Sequence, residues 1–408
     1  MEKPHHNIVI AGDVDHGKST LIGRLLLDTR SLPENKLAEI KDICRKLGQN
    51  TELAYLIDQL KEERENNMTI DTAQAFLKTT RATYTLIDAP GHVEFIKNML
   101  TGAAEADAAV LIIDISQNIQ EQTRRHAYLL RMLGIKNIFA VLNKIDLVDY
   151  SHDRFLEKKK ALLDVLNTLD IVPINVIPVS AKEGINITRK SARTKWYRGP
   201  TLVKALDIIP TIQETVRAPF RFPVQDIYTI GGETILAGQI ASGQITAGQN
   251  VIILPLLKKA LVRSIKIFGK SSRKASGGES IGLVLGSGAG ITRGCVISGI
   301  DAPPSISRRF AGNLFWFGKN TLKINDAVTI TCATQTTDGH VTGIHQRKDP
   351  AQIKPIEKIS SAMKTHEMAR VTIAVKKPIV IEPSGATHTL GRFTVTQGGR
   401  LLGAGVFT

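Results

Sequence analysis

Cysteine is scarce: the 408-residue chain has three, Cys44, Cys295 and Cys332, far apart and with no CxxC pair. That excludes a disulfide framework and offers no zinc-ligand spacing, so a reducing cytosol is the default compartment. Long apolar runs are missing too. VIILPLL at 251–257 is strand-sized and carries a proline, far short of a bilayer-spanning helix. The opening MEKPHHNIVIAG is a short apolar run broken by glycine, without the layout of a signal peptide. A soluble cytoplasmic protein with no membrane partner is expected. Internal repeats and low-complexity tracts are also absent.

Acidic residues are scarce in one half only. Residues 1–215 carry 29 basic and 28 acidic side chains, whereas the remainder carries 24 and 10. Nearly all of the net charge of +15 therefore lies beyond residue 215. One electroneutral module is joined to one that attracts anions such as RNA, an acidic protein or a polyanionic ligand. With 42% hydrophobic and 22% charged residues, the chain can bury real cores, and its length fits two or three domains.

The texture divides in the same place. Up to about residue 210, apolar runs such as NIVIAG (7–12), TYTLIDAP (83–90), AAVLIIDIS (108–116), NIFAVLN (137–143) and INVIPVS (174–180) alternate with helical stretches. Strands apolar throughout and separated by helices predict a parallel sheet covered on both faces. After PTIQETVRAPFRFP, short β-branched runs recur between glycine and proline turns, the pattern of small barrels or sandwiches. DAPPSISRR (301–309) divides two of them. The expected domains are an α/β P-loop domain with a mostly parallel sheet over 1–214 and two β-barrel domains over 215–303 and 304–408.

Five ordered signals lie in the first half. Gly12-Asp13-Val14-Asp15-His16-Gly17-Lys18-Ser19, followed by Thr20, matches GxxxxGK[ST] between a strand and a helix. Its glycines let the loop curl, aiming backbone N–H groups and a helix N-terminus at phosphate oxygens. Lys18 would neutralise the outer phosphates and the Ser19 hydroxyl would ligate Mg2+. Asp88-Ala89-Pro90-Gly91 ends a second buried strand. There a carboxylate can hold Mg2+ through water, and the Gly91 N–H can sense a terminal phosphate. Alone, DxxG is ordinary turn chemistry; behind a phosphate loop it is specific.

Asn143-Lys144-Ile145-Asp146 follows the strand NIFAVLN. The Asp146 carboxylate can accept both N–H donors on one edge of guanine, and adenine lacks those donors. Ser180-Ala181-Lys182 can present a backbone N–H to the guanine oxygen. Thr69, in EERENNMTIDTA between the phosphate loop and Asp88, can close over the metal when a third phosphate is present. In this order the signals imply a guanine-specific GTPase that uses GTP/GDP and Mg2+.

GDVDHGKSTLIGRLL, EERENNMTIDTA, DAPGHVEFIKNMLTGA, QTRRHAYLLRMLGIKN and LNKIDLVDY resemble the translation-factor class of GTPases over nearly the whole chain. The resemblance implies that His92, after DAPG, positions the attacking water. Asn66-Asn67-Met68 depart from the glycine-containing turn usual in the class. Two branches fit. LLLDTRSLPENKL, LVDYS, WYRGPTL (196–202) and NLFWFGKNTLKINDAVTI are similar to the GTPase (large) subunit of sulfate adenylyltransferase. That branch implies an ATP-pyrophosphatase-like small subunit as partner, with GTP hydrolysis driving adenylyl sulfate formation. QDIYTIGG, His16 and the basic second half are closer to the elongation factors Tu and 1-alpha, whose partner is aminoacyl-tRNA. The distinctive segments favour the sulfate adenylyltransferase subunit as the first expectation.

Overall fold

The computed structural model describes residues 3–32, 74–88, 106–209, 218–267, 270–286, 290–349, 355–383 and 389–408. The predicted Thr69, Gly91 and His92 lie outside these residues, as do Asn66-Asn67-Met68 and most of EFIKNMLTGAAEA. The chain forms two compact units that divide between Ile209 and Pro210.

The first unit is built on a six-stranded sheet: β1 (His5–Ala11), β2 (Gln74–Lys78), β3 (Thr83–Asp88), β4 (Ala108–Asp114), β5 (Asn137–Asn143) and β6 (Asn175–Pro178). The order across the sheet is β2-β3-β1-β4-β5-β6. All neighbours are parallel except β2, which is antiparallel to β3. Every residue of β4 is buried, as expected when helices cover both faces. Ile8, Ile10, Val110 and Val141 from the strands pack with Leu21 and Leu25 of helix α1 (Lys18–Asp28). Each side chain so buried contributes about 1.5–3 kcal/mol. Every strand named from the sequence is present. The edge strand β2 was not expected, because QAFLK is short and leaves Phe76 53% exposed.

The second unit is antiparallel throughout. Strands between Arg221 and Gly299 form a main sheet plus the two-stranded ladder of Gln244–Thr246 and Lys274–Ser276, and strands between Ser305 and Phe407 form a second main sheet plus the ladder of Leu322–Lys323 and Ala362–Met363. In the latter, Ala327–Cys332 pairs with both Gln335–Lys348 and Arg392–Gln397. That double pairing closes six strands into a ring. In the former, an Arg221–Ser242 bridge ties the end strand Arg221–Pro223 to the segment after Glu233–Gln239, the next-to-last strand at the other side of the sheet. The architecture is thus a P-loop α/β domain followed by β-barrel-type domains.

Candidate phosphate and base site

The sheet delivers its loops to one edge. Parallel register sets Asp88 at the end of β3 beside Ile10 of β1, two residues before Gly12. Asp88 is 7% exposed. Gly12 must be glycine, since a Cβ there would lie 2.5 Å from the Ile112 carbonyl oxygen and side chain. Gly17 is constrained twice: its φ is +90°, and a Cβ would meet the Asn143 amide nitrogen at 2.5 Å. Asp15, at φ +62°, takes a conformation that few non-glycine residues adopt. Asp13 holds the Val14 N–H through its own carboxylate at 2.7 Å.

Gly17 caps α1 without a side-chain hydrogen bond, and no acidic residue occupies the first turn. The positive end of the helix dipole, with Ser19 and Thr20 in its first turn, therefore faces the loop uncompensated. The Lys18 ammonium bridges the loop, donating to the carbonyls of Gly12 (3.0 Å) and Asp13 (2.7 Å).

His16 is fully buried beneath the loop, with Nδ1 3.2 Å from the Ile112 carbonyl. Burial lowers its pKa against the opposing pull of that carbonyl, Asp13 and Asp114, so it is neutral at physiological pH. A second buried histidine, His126, lies on the helix Glu121–Met132. Neither of its ring nitrogens has a hydrogen-bond partner among the described residues. Burial, reinforced by Lys18, Arg125 and His16, pushes its pKa down to about 3. Between pH 6.5 and that value the unfolded chain binds the extra proton, so this residue's share of stability is intact above pH 6.5 and declines as the pH falls. The loss is about 2 kcal/mol at pH 5. Urea unfolding at pH 7 and pH 5 measures it, and His126→Gln should shrink the difference between the two.

The base end is assembled by side chains that tie loops together. Asn143, buried at the end of β5, donates through Nδ2 to the His16 carbonyl (2.9 Å) and accepts from the Ala181 N–H (3.0 Å). The phosphate loop and the Ser180-Ala181-Lys182 loop are thus joined through one amide. Lys144 adopts φ +63° and turns its ammonium onto Asp114, 2.8 Å away. Asp146 is the second residue of the short 3-10 turn Ile145–Val148. Its half-buried carboxylate has no hydrogen-bond donor among the described residues. The site therefore offers a helix N-terminus and a lysine at one end, with a free carboxylate at the other.

Asp114 was not singled out in the sequence. It is 1% exposed and is held by the Ser116 N–H (2.9 Å), the Ser116 hydroxyl (2.6 Å) and Lys144. Burial alone would raise its pKa, but Lys144 and Ser116 hold it below the usual carboxylate value. Its signal was a single acid closing the apolar run AAVLIID, at the carboxyl end of a parallel strand where ligand crevices form.

Strand, phosphate loop, helix and base loops in this order define a P-loop GTPase. Residues 3–223 match the family described as elongation factor Tu GTP binding domain, and 309–408 match GTP-eEF1A C-terminal domain-like. The chain belongs to this family, the translation-factor class of GTPases. Elongation factor 1-alpha of Pyrococcus furiosus is 38% identical over 99% of this chain and 97% of its own length. That of Thermococcus onnurineus is 37% identical with the same coverage. A solved structure, sup35 complexed with GMPPNP, aligns at a TM-score of 0.48 and 25% identity, covering 100% of this chain and 94% of that one.

These relatives overturn the first expectation, a subunit of sulfate adenylyltransferase with a small-subunit partner. Two of the segments that suggested it, LVDYS and WYRGPTL, have a packing explanation. The Trp196 indole N–H donates to the Tyr150 carbonyl (2.9 Å), and its ring stacks on His152 (4.8 Å) beside Phe155. LVDYS and WYRGPTL are therefore joined by one hydrogen bond, with the Trp196 ring packed on His152 and Phe155 of the helix His152–Thr168. They report on how that helix is packed and carry no adenylyl-transfer chemistry. Among the described residues no helix is long and apolar enough to cross a membrane.

Proposed function

We propose that this chain is an elongation-factor-like GTPase that carries aminoacyl-tRNA under the control of its bound nucleotide. The reading rests on the likeness to elongation factor 1-alpha, which extends over 99% of the chain and so takes in the basic second half as well as the nucleotide domain. The charge distribution supports it. Lys259, Arg263, Arg273 and Lys274 stand exposed between Arg221 and Gly299, and Arg308, Arg309, Arg370 and Lys376 stand exposed on strands between Ser305 and Phe407. Cations in such numbers suit a phosphate backbone. In this reading 1–214 holds the nucleotide, and the domains 215–303 and 304–408 meet the RNA.

Within the site, the loop Gly12–Thr20 would wrap the phosphates, with Lys18 moving from its loop carbonyls to the outer phosphate oxygens. Mg2+, when bound, would neutralise charge on those oxygens. Ser19 and Asp88 fit it as hard oxygen donors beside the loop, with Thr69 as a further ligand. Magnesium bound with nucleotide takes one or two carboxylates and fills its remaining positions with phosphate oxygens, hydroxyls and water, and Asp88 with the two hydroxyls is such a set. Gly91 would contact the terminal phosphate and His92 would orient water. Asp146 would accept from guanine, with the loop Ser180-Ala181-Lys182 donating to its oxygen and Asn143 and Lys144 framing the base.

The test is protection of the aminoacyl ester of charged tRNA by the purified chain with GTP or GDP. Protection should require GTP, fall steeply with salt, and be lost with uncharged tRNA in a parallel retention assay. Equal protection by both nucleotides, or none at low salt, would overturn the proposal.

A further inference from the structure

Arg24 lies on α1, two turns beyond the phosphate loop, yet its guanidinium is committed to the base loop. Nε donates to the Ala181 carbonyl at 3.1 Å, and Nη2 donates to the Lys182 carbonyl. The side chain is 20% exposed and is held in line by Asp28, one turn on, at 3.5 Å from Nη1. Asp28 in turn accepts from the Thr188 hydroxyl at 3.2 Å. Gly184, at φ +77°, lets the loop settle onto this pair: its Cβ position lies 3.5 Å from both the Arg24 stem and the Asp28 carboxylate.

We infer that Arg24 is a positioning residue for guanine recognition, acting through the Ala181–Lys182 peptide. A trans peptide is planar, with its C=O and N–H pointing in opposite directions. Fixing the Ala181 carbonyl on α1 therefore aims the Lys182 N–H away from the helix. The neighbouring Ala181 N–H is spent on Asn143, whereas the Lys182 N–H has no acceptor among the described residues. It is the donor left to meet the base oxygen. The same helix presents its N-terminus to the phosphates, so one rigid element registers both ends of the nucleotide. The inference rests on the guanine reading above and adds a residue to it. A guanidinium suits the task because two donors in a fixed fork can hold two successive carbonyls.

The experiment compares GDP with 6-thio-GDP, which keeps both donors for Asp146 but replaces the base oxygen with the weaker acceptor sulfur. Titrations would use the full chain, Arg24→Met and Arg24→Lys, each with its melting temperature. Arg24→Met should weaken GDP by about tenfold, the scale of one well-aimed hydrogen bond, while 6-thio-GDP changes much less. The preference for oxygen over sulfur therefore collapses. Arg24→Lys, with one centre of donation, should fall between. Equal loss for both ligands, or an unchanged ratio in either variant, would mean that Arg24 serves only folding and overturns the proposal. If the native chain itself shows no preference for GDP over ADP, the guanine reading fails instead.

Discussion

Asp146→Asn should cost GDP about a thousandfold in affinity while xanthosine diphosphate becomes the better ligand. The carboxylate can accept from two N–H donors at once. An asparagine amide offers one acceptor and one donor, so its N–H would face another N–H on guanine, leaving both buried and unmatched. Sites built to hydrogen-bond a ligand reject mismatched analogues by large factors for this reason. Xanthine restores the match, because it presents one N–H and one carbonyl on that edge. Competition titration of the two diphosphates checks the exchange. Retention of GDP within a few-fold would remove Asp146 from the base site.

The largest stability effect should come from the second unit. Arg221 and Glu382 are 161 residues apart in sequence, and their side chains are 3% and 8% exposed. The arginine places Nε 2.9 Å and Nη2 2.6 Å from one glutamate oxygen. Its Nη1 donates to the Ser298 hydroxyl and the Phe220 carbonyl. Glu382→Ala should lower stability by about 3–5 kcal/mol, since it strands a buried guanidinium. Pairing Arg221→Met with Glu382→Leu should recover most of that loss, because both charges leave together. Denaturant unfolding followed by a probe in the second unit gives both values. A single variant as costly as the pair would show that packing, and not charge, sets the effect.

The sequence was most legible where chain order and chemistry coincide. β1, α1, β3 and β5 were readable because continuous apolar runs lead directly into the phosphate and base motifs. The antiparallel texture of the second half was readable from its turns. β2 was not, because an edge strand with an exposed Phe76 lacks the burial pattern that marks a strand. Arg24 was hidden because its partners are backbone carbonyls more than 150 residues away, and a carbonyl leaves no trace in residue identity. The same blindness explains the misassigned branch: Trp196 reads as a distinctive letter, but its indole is satisfied by the carbonyl of Tyr150. The excess positive charge, which suited RNA, an acidic protein or a polyanionic ligand alike, weighed against that branch.

The ring closed by Ala327–Cys332 has a bearing on evolution as well as on shape. Each of its six strands pairs with a neighbour on either side, so among the described residues the sheet's open edge lies off the ring, on Pro355–Ser360, which pairs with Gln335–Lys348. On the ring itself, what is left for recognition is the outward side chains. Such side chains can be exchanged one at a time with little disturbance to the wall behind them. A closed ring of this kind is a durable drum whose skin can be re-patterned, so relatives can diverge in cargo while keeping the same frame.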